Sequence, residues 1–84
     1  MTNKEILIKQ IIYRSSHRGS QEMDLLLGNF VKKYVNDFND KELKNLYDLL
    51  MIEDELIYRW YFDKKLNDNI PNTRVSNLLK KYKL

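Results

Sequence analysis

Eighty-four residues, 43% hydrophobic and 32% charged, suffice for one packed core but not two, and this balance excludes a wholly disordered chain. Two Gly and one Pro argue against a turn-rich β architecture, and the absence of Cys rules out a disulfide framework, a thiolate metal site and a cysteine nucleophile. Fifteen Lys and Arg against twelve Asp and Glu leave a net charge of +3, but acids and bases interleave, so the surplus points only weakly to a nucleic-acid partner.

From Thr2, an N-cap candidate with Glu5 three residues on, the stripe Leu7, Ile8, Ile11, Ile12, Ser15 predicts a first amphipathic helix. Gly19 is expected to close it in the left-handed conformation that glycine adopts at helix ends. Met23, Leu26, Leu27, Phe30, Val31 and Tyr34 then alternate spacings of three and one, as the buried face of a second helix requires. Gly28 lies inside that helix at a cost of about 1 kcal/mol relative to Ala. It is either simply tolerated or leaves room for a neighbouring helix or partner.

Asn36, Asp37, Asn39 and Asp40 form a polar break, and Asn39 with Glu42 has capping-box spacing for a third helix that buries Leu43, Leu46, Tyr47 and Leu50. The acidic run Glu53-Asp54-Glu55 suits the positive end of a short fourth helix with Ile57, Trp60 and Tyr61 inside. After the loop Asn67 to Asn72, a fifth helix places Val75, Leu78, Leu79 and Tyr82 on one side and gathers Lys80, Lys81 and Lys83 near its end. The reading is therefore all-α: one small domain over residues 1–84, a five-helix bundle whose consecutive helices pack as antiparallel pairs. No window offers the roughly 18 uninterrupted apolar residues of a membrane span. The broken run Ile6-Leu7-Ile8 is no signal-peptide core, so the chain is expected to stay where it is made.

Residues suited to catalysis are scarce. His17 is the only histidine, and without Cys or a paired carboxylate it reads as a helix-end or loop residue rather than a metal ligand. Ser15, Ser16 and Ser20 lie near it, but four residues at a helix end do not make a triad, and there is no phosphate-cradling or dinucleotide motif. The chain is read as a non-enzyme that holds neither metal nor cofactor. Tyr58, Trp60, Tyr61 and Phe62 cannot all face inward from one short helix, so some aromatic surface must be exposed, as at protein interfaces. Core packing remains the better reading for Trp60 and Tyr61. In Arg18-Gly19-Ser20-Gln21-Glu22, capping accounts for Gly19, Ser20 and Glu22, and least for Arg18.

The run Tyr13 to Asp24, containing Arg18, Gly19 and Glu22 as Arg-Gly-x-x-Glu, resembles the signature of the succinate dehydrogenase assembly factor 2 family, the flavinators. The resemblance continues through Phe30, Asp40, Leu49-Leu50, Glu53-Asp54 and Trp60, covering most of the chain. Two positions depart from the family pattern: His17 stands where a basic residue is frequent, and Leu56 where an acid commonly precedes the tryptophan by four, with Glu55 one place earlier.

The resemblance implies an all-helical chaperone that binds the flavoprotein subunit of succinate dehydrogenase, or of the related fumarate reductase, and promotes covalent attachment of FAD to its histidine. FAD is then joined to the partner and not held by this chain. The resemblance also implies partner-binding roles for Arg18, Gly19, Glu22, Asp24 and Trp60, with Arg18, Gly19 and Glu22 forming an exposed patch. The free protein is expected to be a monomer, in the cytoplasm of a bacterium or in the mitochondrial matrix if it is a processed organellar homologue. The competing reading is a small basic helical module for nucleic acid or for protein interaction, the former suggested by the pI near 9.1 and the C-terminal lysines.

Overall fold

A computed structural model describes residues 2–84, and every regular element among them is a helix. Local side-chain chemistry starts four of the five. Thr2 accepts a hydrogen bond from the Glu5 amide at 3.1 Å and opens α1, Asn3–Ser16. Ser20 does the same for α2, Gln21–Tyr34, through the Met23 amide. Asn39 and Glu42 form a reciprocal capping box on α3, Asp40–Leu50. The fourth helix, α4, spans Asp54–Tyr61 and has no side-chain cap, whereas Thr73 and Ser76 cap α5, Arg74–Lys81, as a reciprocal pair.

The end of α1 differs from the sequence expectation. Neither glycine has a positive φ, so Gly19 is not a left-handed stop. The helix ends two residues earlier, where His17 donates from Nδ1 to the Tyr13 carbonyl at 2.7 Å and stacks its ring on Tyr13 at 3.9 Å. That bond occupies one of the carbonyls a helix leaves without a backbone donor at its C-terminus.

One apolar cluster forms the core, with Ile11, Leu26, Leu27, Phe30, Leu43 and Leu46 fully buried at its centre. The α2 stripe is buried as its spacing demands, with Tyr34 half-buried at the edge. In α1, Leu7, Ile8, Ile11 and Ser15 turn inward, but Ile12 is 47% exposed. At about 100° per residue, Ile12 lies a quarter-turn round from Ile11 and misses the groove that α2 and α3 offer.

Helix pairing is also less sequential than expected. The close backbone approaches are α1 with α2, α1 with α3, and α3 with α5, and only the first joins consecutive helices. The cause lies in α3, where Leu49 joins Leu43, Leu46 and Leu50 in the core and, with half-buried Tyr47 on the other flank, widens the apolar arc to about 160°. A helix with so broad a face is covered from two sides. The segment 62–73 then crosses to α5, with Lys64 the one described non-glycine residue at positive φ and Ile70 pressed into the core.

Candidate partner-binding site

The junction between α1 and α2 is built around Arg18. A guanidinium carries five N–H donors in a rigid fork, and here all three of its nitrogens find acceptors. Nε donates to Asp54 Oδ1 at 2.8 Å, and the Nη2 group reaches the same oxygen at 2.5 Å and the Ile52 carbonyl at 3.2 Å. Nη1 donates to the carbonyls of Leu50 at 2.7 Å and Arg14 at 3.2 Å. The side chain is 8% exposed and ties together the end of α1, the end of α3 and the start of α4. The expectation of an exposed Arg18 is therefore corrected, because three backbone carbonyls and one carboxylate converge where only an inward-turned guanidinium can satisfy them.

Two carboxylates hold the backbone beside it. Asp24 Oδ1 accepts from the Arg18 amide at 2.7 Å, and Asp54 Oδ2 accepts from the Gly19 amide at 2.5 Å. Charge-assisted bonds of this kind are about twice as strong as neutral ones. Asp54 also sits at the first residue of α4, where the helix dipole favours an anion. Asp24 is accordingly half-buried and turned back on the chain.

What remains outward is Gly19 and Glu22, both exposed. Among the described residues, no cation pairs with Glu22. They line a shallow open depression with Ser20, Met23, Asp54, Glu55 and Tyr58. Tyr58, 39% exposed, supplies the outward aromatic surface that the crowding of residues 58–62 requires. Trp60 does not join this edge: it lies two residues and about 200° round α4 from Tyr58, is 6% exposed and packs in the core. Its remaining surface borders separate clefts beside Leu66 and Asn67, with Lys80 Nζ 5.8 Å from its ring centre.

The structure thus brings Arg18, Gly19, Glu22 and Asp24 together, leaves Trp60 apart and adds Asp54. Sequence reasoning placed Asp54 only within an acidic helix start. Its pairing with Arg18 spans 36 positions, which no local spacing reveals. Of the C-terminal lysines of the competing reading, Lys81 and Lys83 border a depression with Lys33, Tyr34 and Tyr82 at the other end of α2, whereas Lys80 lies over Trp60. Among the described residues, no group of three or more His, Cys, Asp or Glu side chains is arranged to hold a metal ion, and no helix is long and apolar enough to cross a membrane.

Comparison with known proteins gives a consistent result. Residues 9–83 match the family described as flavinator of succinate dehydrogenase. The chain is 37% identical over 81 residues to succinate dehydrogenase assembly factor 2-A, mitochondrial, of Drosophila willistoni, covering 93% of this chain and 51% of that one. It is 35% identical over 63 residues to succinate dehydrogenase assembly factor 2, mitochondrial, of Arabidopsis thaliana, with 75% and 34% covered. Against the protein of the same name from Scheffersomyces stipitis, identity is 47% over 57 residues, with 67% and 38% covered. The matched segments span between a third and about half of the length of these curated relatives. No solved structure matches the chain.

Proposed function

The chain belongs to the flavinators of succinate dehydrogenase, and we propose that it binds the flavoprotein subunit of that enzyme, or of the related fumarate reductase, and promotes covalent attachment of FAD to a histidine there. The observation that carries this reading is the exposed Gly19–Glu22 edge fixed on a buried Arg18 hub. An unpaired carboxylate on an exposed edge offers an acceptor for the donors of an approaching partner. An edge already held in place loses little conformational entropy on binding.

The role is that of a chaperone, not a catalyst. Bond formation belongs to the isoalloxazine ring and its target histidine, and the factor contributes orientation and shelter from solvent. FAD ends on the partner, and this chain itself holds no cofactor. The mitochondrial designation of the relatives supports the matrix as the site of action in a eukaryotic host. A bacterial host would place it in the cytoplasm.

The test is in-gel fluorescence of covalently bound flavin in cells lacking the native factor. Expressing this chain should restore the signal, and Glu22→Ala should reduce it while the domain keeps its melting temperature. Glu22 is the informative position because its side chain is free, whereas a change at Gly19 also disturbs Asp54. Restoration by the unaltered chain with no loss in Glu22→Ala would remove the edge from the mechanism, and no restoration at all would remove the function.

A further inference from the structure

We propose that Asp54 is a positioning residue for this edge: its carboxylate fills the place a side chain at position 19 would take and fixes how Gly19 and Glu22 are presented. The inference rests on the reading of Gly19 and Glu22 as partner contacts. It assigns the need for glycine at position 19 to a neighbour within the chain.

The two oxygens of Asp54 divide the work. Oδ1 receives Nε and Nη2 of Arg18, and Oδ2 receives the Gly19 amide. A Cβ built on Gly19 would stand 2.9 Å from Oδ2 and 3.9 Å from Cγ, the first inside the 3.0 Å limit that real Cβ atoms respect. A free aspartate would relieve that contact by a small rotation. Asp54 is restrained, because its other oxygen is gripped by a guanidinium that is itself held by the carbonyls of Leu50, Ile52 and Arg14. Backbone conformation does not explain the glycine, since its φ is not positive and an L residue could adopt it. The chain of constraint therefore runs from the end of α3 through Arg18 and Asp54 to Gly19, one turn before Glu22.

Asp54→Asn separates the two halves of this grip. An amide has one acceptor oxygen where the carboxylate has two. Turned so that its oxygen faces Arg18, it presents an NH2 group to the Gly19 amide, donor against donor. Amide hydrogen exchange at Gly19 should quicken by about tenfold or more, the loss of one charge-assisted bond, while core amides of α2 such as Leu27 keep their protection. Flavin attachment per folded molecule, measured in cells lacking the native factor, should fall by a similar factor. Wild-type attachment in this variant, or an unchanged Gly19 exchange rate, would overturn the proposal.

A double-mutant cycle supplies the readout that a merely structural role would not move. Gly19→Ala and Asp54→Ala should each lower attachment per folded molecule. Their combination should be no worse than Asp54→Ala alone, because the added methyl then has no carboxylate to displace. Losses that multiply would mean the methyl acts on the partner, and the proposal would fall. If Asp54→Ala does not fold, the Asp54→Asn arm decides by itself. Failure of the underlying function looks different: the unaltered chain would then restore no flavin, whereas a defective Glu22→Ala beside a normal Asp54→Asn overturns only the positioning role.

Discussion

Arg18→Ala is the substitution that tests the site most directly, because an exposed contact residue and a buried hub predict opposite results. Removing the guanidinium strands the Asp54 carboxylate and takes a donor from each of the carbonyls of Arg14, Leu50 and Ile52. Breaking a buried ion pair from one side costs about 3–5 kcal/mol. Asp54 keeps 29% of its side-chain surface and can be partly rehydrated, so the lower end, about 3 kcal/mol, applies. Eighty-four residues at the usual density of stability give a total of roughly 4–13 kcal/mol, so this one change removes a large share. For a domain of this size the midpoint should fall by about 12–24 °C. Urea unfolding followed by far-UV circular dichroism gives the number, provided the slope with denaturant is unchanged. Arg18→Lys should lie between wild type and Ala, since an ammonium keeps the charge but cannot fill the fork. A loss below about 1 kcal/mol for Arg18→Ala, the range of a surface ion pair, would refute the hub and return Arg18 to the exposed patch.

Gly28→Ala should stabilise the protein by about 1 kcal/mol and raise its melting temperature by about 4–8 °C, because the added Cβ would meet only the Ser15 carbonyl at an ordinary 3.8 Å. A lower melting temperature would show that α1 and α2 leave no room there. Trp60→Ala should cost about 3–5 kcal/mol in a denaturant melt, as befits a ring 6% exposed; a stable variant with lost partner binding would restore Trp60 to the interface. The Asn39 amide, and after it Arg74, holds the Glu42 carboxyl below its ordinary value of 4.5. A depressed carboxyl stabilises the fold above its unfolded pKa and loses that contribution as pH falls through the folded one. Melting temperatures recorded from about pH 6 to pH 3 should therefore decline less steeply in Glu42→Gln than in wild type, and parallel curves would rule this out.

The helices were legible in the sequence wherever their causes are local. The caps at Thr2, Ser20 and Asn39 each join a side chain to a backbone group three residues on, and such a pair is visible in the sequence. The α2 stripe was equally readable, because every member faces one core. Two features were not, since they depend on what arrives from elsewhere in the fold. The end of α1 is set by the His17 ring folding back on Tyr13, which glycine statistics do not anticipate. The exposure of Ile12 depends on which helices flank α1, and that order follows from the breadth of the α3 face.

The five residues of Arg-Gly-x-x-Glu read as one unit in the chain but divide in space. Arg18 points inward to close a gap among three helices, and Gly19 and Glu22 point outward over it. Pattern reasoning recovers the outward half, because capping and exposure are local, and misses the inward half, because three of the four acceptor groups for Arg18 lie 32 to 36 positions away. This division suits the proposed role. A factor that must hold a large subunit in one orientation gains most from an edge that does not have to be ordered on contact. In so short a chain the rigidity cannot come from a deep core beneath the edge. Here a single guanidinium bonded through all three of its nitrogens supplies it, so loss of the inward residue should disable the outward ones without touching the partner.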